Sequence, residues 1–248
     1  MRGFVLAAGL GTRLRPLTNT LPKPLVPVGG VPLLERALRQ MAAAGVHEVA
    51  VNAFHLAEQI VDFVGDGRRF GVEATVFVEG PEVLGTGGGL RNARSFLQSG
   101  GEAFVLANGD VWHDFDLRAL QQTWQPGSVG TLAMAQEPRR PALHTVQCVG
   151  ANTTGATGLV SRVGNKHVGP HGDFAGIYSG VAVLSSTLLD LLPDGESSLV
   201  EHGFWPAMAQ GQPLRWWLPG GTWFDCGTHA EVLRASAHAL RARASALT

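Results

Sequence analysis

The chain has 248 residues, of which 45% are hydrophobic and 16% charged, with a formal net charge of −1. That balance excludes a disordered polymer and a generally basic nucleic-acid binder, and no apolar run approaches the ~18 residues of a membrane span. Two cysteines, Cys148 and Cys226, supply neither a disulfide framework nor a zinc site. With no basic-then-apolar leader, a cytoplasmic protein without a membrane partner is expected. No repeat, low-complexity tract or linker divides the sequence, so one domain spanning residues 1–248 is the expectation.

Gly3 to Ala8 is a short apolar run that reads as a fully buried strand. It opens at once into Gly9 and Gly11, followed by Thr12 and Arg13, and Lys23 follows between Pro22 and Pro24. A buried strand ending in a glycine-rich loop presents bare backbone N–H groups where a polyphosphate can be cradled. Arg13 would bring a planar fork to that anion and Lys23 a point charge. Two familiar readings fail. A dinucleotide fingerprint needs a third glycine where Leu14 stands, and a P-loop needs Gly-Lys-Ser/Thr where Gly11-Thr12-Arg13 stands. The plainer alternative is a tight turn that binds nothing; the two cations favour phosphate.

Pro32 to Ala44 has helical spacing, with Leu33, Leu34, Ala37, Leu38 and Met41 on one face and Gly45 just past its end. Glu48 to Asn52 reads as a strand, Leu56 to Val64 as a helix and Ala74 to Val78 as a third strand. Glycines 85, 87, 88 and 89 then open a helix running toward Leu97. Such alternation implies parallel strands with right-handed crossovers. Ala103 to Ala107 is the next buried strand, Asp116 to Trp124 a helix and Gly130 to Ala135 a strand. From Arg139 to Asp173 helical periodicity disappears and short β pieces take over, Thr145 to Val149 and Gly158 to Val163, as expected of a small antiparallel insertion. Ile177 to Leu184 returns to a buried strand, Leu199 to Met208 to a helix, and Leu214 to Leu218 and Thr222 to Asp225 to strands. Thr228 and Glu231 form a capping box for a C-terminal helix reaching about Ala244.

Asp110 follows the strand 103–107 through Asn108 and Gly109, which puts it at a carboxyl end, where ligands bind in open α/β sheets. Asp225 ends a strand too. Both are expected at strand ends of one sheet, where they can converge. One or two carboxylates together with substrate phosphates are a usual way to hold Mg²⁺. Taken singly, either aspartate could serve a turn or a helix cap instead.

The stretch LAAGLGTRLRPLT followed by PKPLVPV resembles the signature of the sugar-1-phosphate nucleotidyltransferases, or sugar nucleotide pyrophosphorylases. Within that family GDGRRFGV, LGTGGGLRNA, FVLANGDVWHDFD and WFDCGT are most similar to the N-acetylmuramate-1-phosphate uridylyltransferases. The resemblance implies a Rossmann-like, mostly parallel sheet flanked by helices (GT-A-like) with a small β insertion. It implies a Mg²⁺-dependent attack of a sugar-1-phosphate on the α-phosphorus of a nucleoside triphosphate, UTP favoured, with loss of pyrophosphate. The attacking phosphate is already ionised, so no general base is expected. Ala7, Gly9, Gly11, Thr12, Arg13, Lys23, Glu79 and Gly87 would bind the nucleotide, with Arg13, Lys23 and Asp110 catalytic. Asp110 and Asp225 would hold the metal, and Asn108, Ser179, Gly180 and Asp225 would face the sugar phosphate. Many relatives carry glutamine at Glu79, which leaves the base open. The acidic residue and the Glu-Lys element that relatives place on the acceptor side have only Leu143, His144 and Thr145 and Asn165-Lys166 as counterparts, which leaves the sugar open. Guanylyl transfer to mannose- or heptose-1-phosphate is the second reading, and a non-catalytic nucleotide-sensing module the reading of another class. Retention of both cations and both aspartates disfavours the latter. No hexapeptide repeat is present, so the β-helix and acetyltransferase of longer relatives are not expected; a monomer or small homo-oligomer is. Trp205, Trp216, Trp217 and Trp223 suit packing better than sugar stacking, and Ser179-Gly180 suits a β-bulge as well as a sugar contact.

Overall fold

A computed structural model describes residues 1–137, 145–167 and 171–245. The chain runs β1 (Arg2–Leu6), β2 (Pro27–Val28), β3 (Val31–Pro32), α1 (Leu33–Ala43), β4 (Glu48–Ala53), α2 (Ala57–Val64), β5 (Glu73–Val78), α3 (Gly85–Asn92) and α4 (Arg94–Gln98). It continues through β6 (Ala103–Asn108), β7 (Val111–His113), α5 (Leu117–Gln122), β8 (Gly130–Ala135), β9 (Val146–Val149), β10 (Thr157–Val163) and β11 (Lys166–His167). The last elements are β12 (Phe174–Ser185), α6 (Trp205–Ala209), β13 (Leu214–Trp217), β14 (Trp223–Asp225) and α7 (His229–Ser245).

One twisted sheet carries most of the strands in the order β11-β10-β13-β8-β12-β6-β1-β4-β5, with β9 against β10 and β12. The half built from β6, β1, β4 and β5 is parallel, joined by helical crossovers. Around β12 the pairing with β6, β8 and β9 turns antiparallel. Strand residues are buried on both faces and alternate between two cores. Val5, Val51, Val105, Val181 and Val183 face one side with Leu34, Leu38 and Met41 of α1. Phe4, Ala50, Phe104, Leu106, Ala182 and Leu184 face the other with Leu90 of α3 and Leu97 of α4. The β pieces expected within 139–173 are antiparallel and continue the main sheet, because β9 and β10 pair with β12 and β13. Two tryptophans fasten this edge: Trp205 Nε1–H donates to Val163 O at 2.9 Å and Trp216 Nε1–H to Val149 O at 3.0 Å.

Three expectations need correction. The helix expected from Gly85 to Leu97 breaks at Ala93 into α3 and α4, a division favoured by the weak helix propensity of a glycine run. The helix expected over 199–208 begins as a π-type turn, Leu199–Phe204, and becomes α-helical only at Trp205. Pro206, lacking an N–H, is tolerated only near a new helix start. Most important for function, β14 does not join the main sheet. It pairs antiparallel with β7 in a two-stranded sheet of its own, with Trp223 opposite His113 and Asp225 opposite Val111.

His113 shows how firmly this small sheet is set. Its Nδ1 accepts the Phe115 N–H at 3.2 Å, its carbonyl accepts Arg36 Nη2–H at 2.7 Å, and the ring stacks on Phe115. Burial, then the nearby Arg36 charge, lowers its pKa from 6.5 to about 3. Because the folded-state value lies below the unfolded one, the neutral ring favours folding above pH 6.5. That stability is lost as pH falls toward 3, at up to about 1.4 kcal/mol per pH unit. Urea unfolding of wild type and His113→Asn between pH 7 and 5 should show the wild type losing its advantage over the variant as the pH drops.

Candidate active site

The site grows from the carboxyl end of β1. After Leu6 the strand leaves the sheet, and the Ala7 N–H donates to Asn52 Oδ1 of β4 at 2.7 Å. Gly9, Thr12 and Arg13 face solvent, whereas Leu14 is fully buried and anchors the far end of the loop. Between them Gly11 adopts φ 61°, and a Cβ there would meet Thr18 Cγ2 at 2.9 Å, so glycine is needed on two counts. Thr18, which sequence reasoning passed over, is buried and donates its hydroxyl to Gly11 O at 2.8 Å. The loop is thereby open to an anion and fixed at its base.

Lys23 arrives by a different route. Pro22 is extended, and Lys23–Leu25 makes a single 3-10 turn with Leu25 buried beneath it. This carries the lysine inward, with only 6% of the residue exposed, and its Nζ lies 2.5 Å from Asp110 Oδ2. Asp110 stands in the turn between β6 and β7, held by the Gly109 N–H donating to Leu6 O at 2.8 Å. The register of β14 on β7 then places Asp225 beside Val111, and the Arg13 guanidinium reaches within 3.8 Å of Asp225 Oδ2. Burial pushes the Cys226 thiol up to about 12, and Asp110, Lys23 and Asp225 all act on it as well. The four charged groups expected from the sequence are thus gathered at one place, around an inert thiol.

Among the described residues no cluster of three or more His, Cys, Asp and Glu side chains is present. Asp110 and Asp225, ion-paired to Lys23 and Arg13, are the kind of donors that suit Mg²⁺, which keeps water and substrate ligands and rarely has an all-protein cage.

A cleft opens beside this cluster, lined by Leu6, Ala8, Gly9, Asn52, Val83, Gly85, Thr86, Asn108 and Asp110. Glu79 and Gly87 are not among its lining residues. Glu79 is buried behind Asn52, with Oε1 accepting from Asn52 Nδ2 at 2.7 Å and Oε2 from Leu84 N–H at 2.8 Å. Gly87 donates its N–H to Ser197 O at 2.8 Å, and a Cβ on it would lie 2.6 Å from Ser197 Oγ. The glycines of α3 let the 195–198 segment pack against the helix. Ser179 and Gly180 form the bulge in β12. The Ser179 hydroxyl turns inward to Ala133 O at 2.7 Å, its carbonyl accepts Trp223 Nε1–H at 2.9 Å, and Gly180 lies against the Asn108 amide. Leu143 and His144 lie outside the described residues.

A second cleft borders Trp223 and Phe224 of β14 and includes Gln136, Glu137, Thr154 and the turn at 219–222. Its acidic residue, Glu137, pairs with Arg234 of α7 at 3.8 Å. It precedes residues 143–145, where the family resemblance places an acceptor-side carboxylate and the sequence has none. Sequence reasoning missed Asn52, although a lone polar residue at the end of the apolar run EVAVNA was a usable signal.

The chain matches the Nucleotidyl transferase family over residues 2–242 and belongs to it. It is 43% identical over 123 residues to the N-acetylmuramate α-1-phosphate uridylyltransferase of Neisseria meningitidis, covering 50% of this chain and 52% of that protein. With the mannose-1-phosphate guanyltransferase of Kluyveromyces lactis it is 32% identical over 237 residues, or 94% of this chain and 63% of that one. The chain therefore spans between half and two thirds of the length of these relatives. The fold is also that of HddC from Yersinia pseudotuberculosis complexed with GMP-PN, with a TM-score of 0.73, 24% identity and 96% of this chain and 99% of that one covered.

The close fit of α3 against 195–198 yields a stability prediction. In Gly88→Ala the new methyl would collide with the backbone carbonyl of Gly195, so the gain in helix propensity is outweighed by overpacking. Urea unfolding should show a loss of about 1–3 kcal/mol.

Proposed function

We propose that this chain transfers a nucleotidyl group from a nucleoside triphosphate to a sugar-1-phosphate and releases pyrophosphate. The observation that carries the reading is the meeting of Lys23, Asp110, Asp225 and Arg13 at the open end of the Gly9–Gly11 loop. The loop amides and Arg13 would bind the β- and γ-phosphates and stabilise the departing pyrophosphate. Lys23, held by Asp110, would lie against the α-phosphate and neutralise charge that develops as the phosphorus is attacked. Asp110 and Asp225 are the residues that would hold Mg²⁺, which would supply Lewis-acid polarisation of the α-phosphate. The acceptor phosphate attacks as an anion and needs no base, so the chain's contribution is alignment and charge.

The nucleobase would occupy the cleft lined by Ala8, Gly9, Val83, Gly85 and Thr86, with Glu79 and Gly87 shaping it from behind. The sugar would lie toward Asn108 and the second cleft, where Glu137 and Arg234 supply polar partners; Ser179 and Gly180 would hold Asn108 and Trp223 in place beside it. UTP with N-acetylmuramate-1-phosphate is the favoured pair, supported by the 43% identity to the Neisseria meningitidis enzyme over half the chain. Guanylyl transfer to mannose-1-phosphate is the second reading, supported by a likeness that covers 94% of the chain. The reaction belongs to the cytoplasm, where nucleoside triphosphates are available.

Pyrophosphate release should be measured with each of four nucleoside triphosphates crossed with N-acetylmuramate-, mannose- and glucose-1-phosphate. Activity is expected only when triphosphate, Mg²⁺ and a sugar-1-phosphate are all present. Lys23→Ala and Asp110→Ala should each lower kcat/KM at least about 100-fold while keeping a native circular dichroism spectrum. Near-normal turnover by either folded variant would refute the assignment.

A further inference from the structure

Asn52 stands apart from the residues already given roles. It lies in β4 opposite Phe77 of β5, is 1% exposed and lines the cleft. Its carboxamide is engaged from both sides. Oδ1 accepts the Ala7 N–H at 2.7 Å, and Nδ2 donates to Glu79 Oε1 at 2.7 Å. A backbone N–H can only donate, and an ionised carboxylate can only accept, so the two partners fix one orientation of the amide. The second Glu79 oxygen accepts the Leu84 N–H at 2.8 Å. A continuous line of hydrogen bonds therefore runs from the root of the glycine loop, through Asn52 and Glu79, to the start of α3. Its two ends adjoin two groups of residues that line the cleft: Ala8 and Gly9 beyond Ala7, and Val83, Gly85 and Thr86 around Leu84. Gly89 of α3 seals the line from the side, since a Cβ there would lie 2.6 Å from Asn52 Nδ2 and 2.9 Å from Glu79 Oε1.

We infer that Asn52 is a positioning residue that sets the separation of the phosphate loop from the opposite wall, and so the affinity for the donor nucleotide. The inference rests on the nucleotidyl-transfer reading for the identity of that nucleotide. Without the carboxamide, the buried Ala7 N–H loses its acceptor and Glu79 Oε1 its donor, leaving the carboxylate only the Leu84 N–H. The two walls then relax independently, and the triphosphate meets a site that must be assembled on binding. The acceptor cleft is bordered by other elements, β8, β14 and the 219–222 turn, and should be little affected.

Asn52→Ala and Gly89→Ala test this from opposite sides, the first removing the link and the second wedging it apart. Each should raise the KM for the magnesium triphosphate, UTP or GTP as the wild type prefers, by tenfold or more, with the KM for the sugar-1-phosphate within twofold of wild type. A merely structural role would reduce the active fraction, lowering apparent kcat with both KM values unchanged. The double variant should be no worse than Asn52→Ala, because both act on one link. Should Asn52→Ala fail to fold, Gly89→Ala decides. A donor KM within twofold of wild type in a folded variant overturns the inference. If wild type releases no pyrophosphate with any pair, the functional reading falls and calorimetric binding of magnesium UTP and GTP decides in its place. Tenfold weaker binding by the variants supports the role of Asn52; unchanged binding, or none by wild type, removes it.

Discussion

The contact between Lys23 and Asp110 is the constraint around which the rest is arranged. A buried ammonium is costly unless a counter-charge sits within hydrogen-bonding reach, and here the carboxylate is 2.5 Å away. The two residues come from distant parts of the chain, one from a turn between prolines, the other from the turn between β6 and β7. Holding them together requires β1 and β6 to be neighbours and the 3-10 turn at Lys23 to be driven into the interior by Pro24 and Leu25. The paired charges sit at the carboxyl ends of parallel strands, where the strands diverge and a ligand can enter.

The small β7–β14 sheet completes the arrangement without belonging to the main one. By pairing with Val111 rather than with a strand of the core, Asp225 approaches Asp110 from outside the sheet edge. Trp223 then ties that ribbon to the bulge in β12 through Ser179 O, and Cys226 continues into a compact core with Ala235 and Ala239 of α7. Three tryptophans of this half of the chain thus act as struts with satisfied N–H groups: Trp205 and Trp216 brace the outer strands, and Trp223 braces the strand that carries a charge to the site.

Much of this was legible in the sequence because the informative residues obey short-range rules. The buried run before Gly9, the alternation of strands and helices and the amphipathic face of α1 follow directly from periodicity. Arg13, Lys23, Asp110 and Asp225 stand out at loop and strand ends, but the single sheet expected to bring the two aspartates together is not what positions Asp225, which lies on the separate β7–β14 pair. What escaped was set by tertiary packing. Nothing local distinguishes Asn52 as the residue that would bond Ala7 and Glu79, or shows that the α3 glycines serve the fit against Ser197 and Gly195. The sheet that β14 joins depends on a partner, β7, only three residues long, too short for any pattern. Glu79 illustrates the same point: the family resemblance implies a base contact, and the fold directs both its oxygens to Asn52 and Leu84.

The central claim is that one triphosphate is held by the β1 loop while its α-phosphate faces the Lys23–Asp110 pair and Asp225. A crystal structure grown with Mg²⁺ and UTP tests it most directly. The account predicts the terminal phosphates over Gly9 to Arg13 and the α-phosphate within contact of Lys23 Nζ, with the carboxylates of Asp110 and Asp225 turned toward a shared cation. A triphosphate bound elsewhere, or those two carboxylates directed to different sides of the molecule, would contradict it.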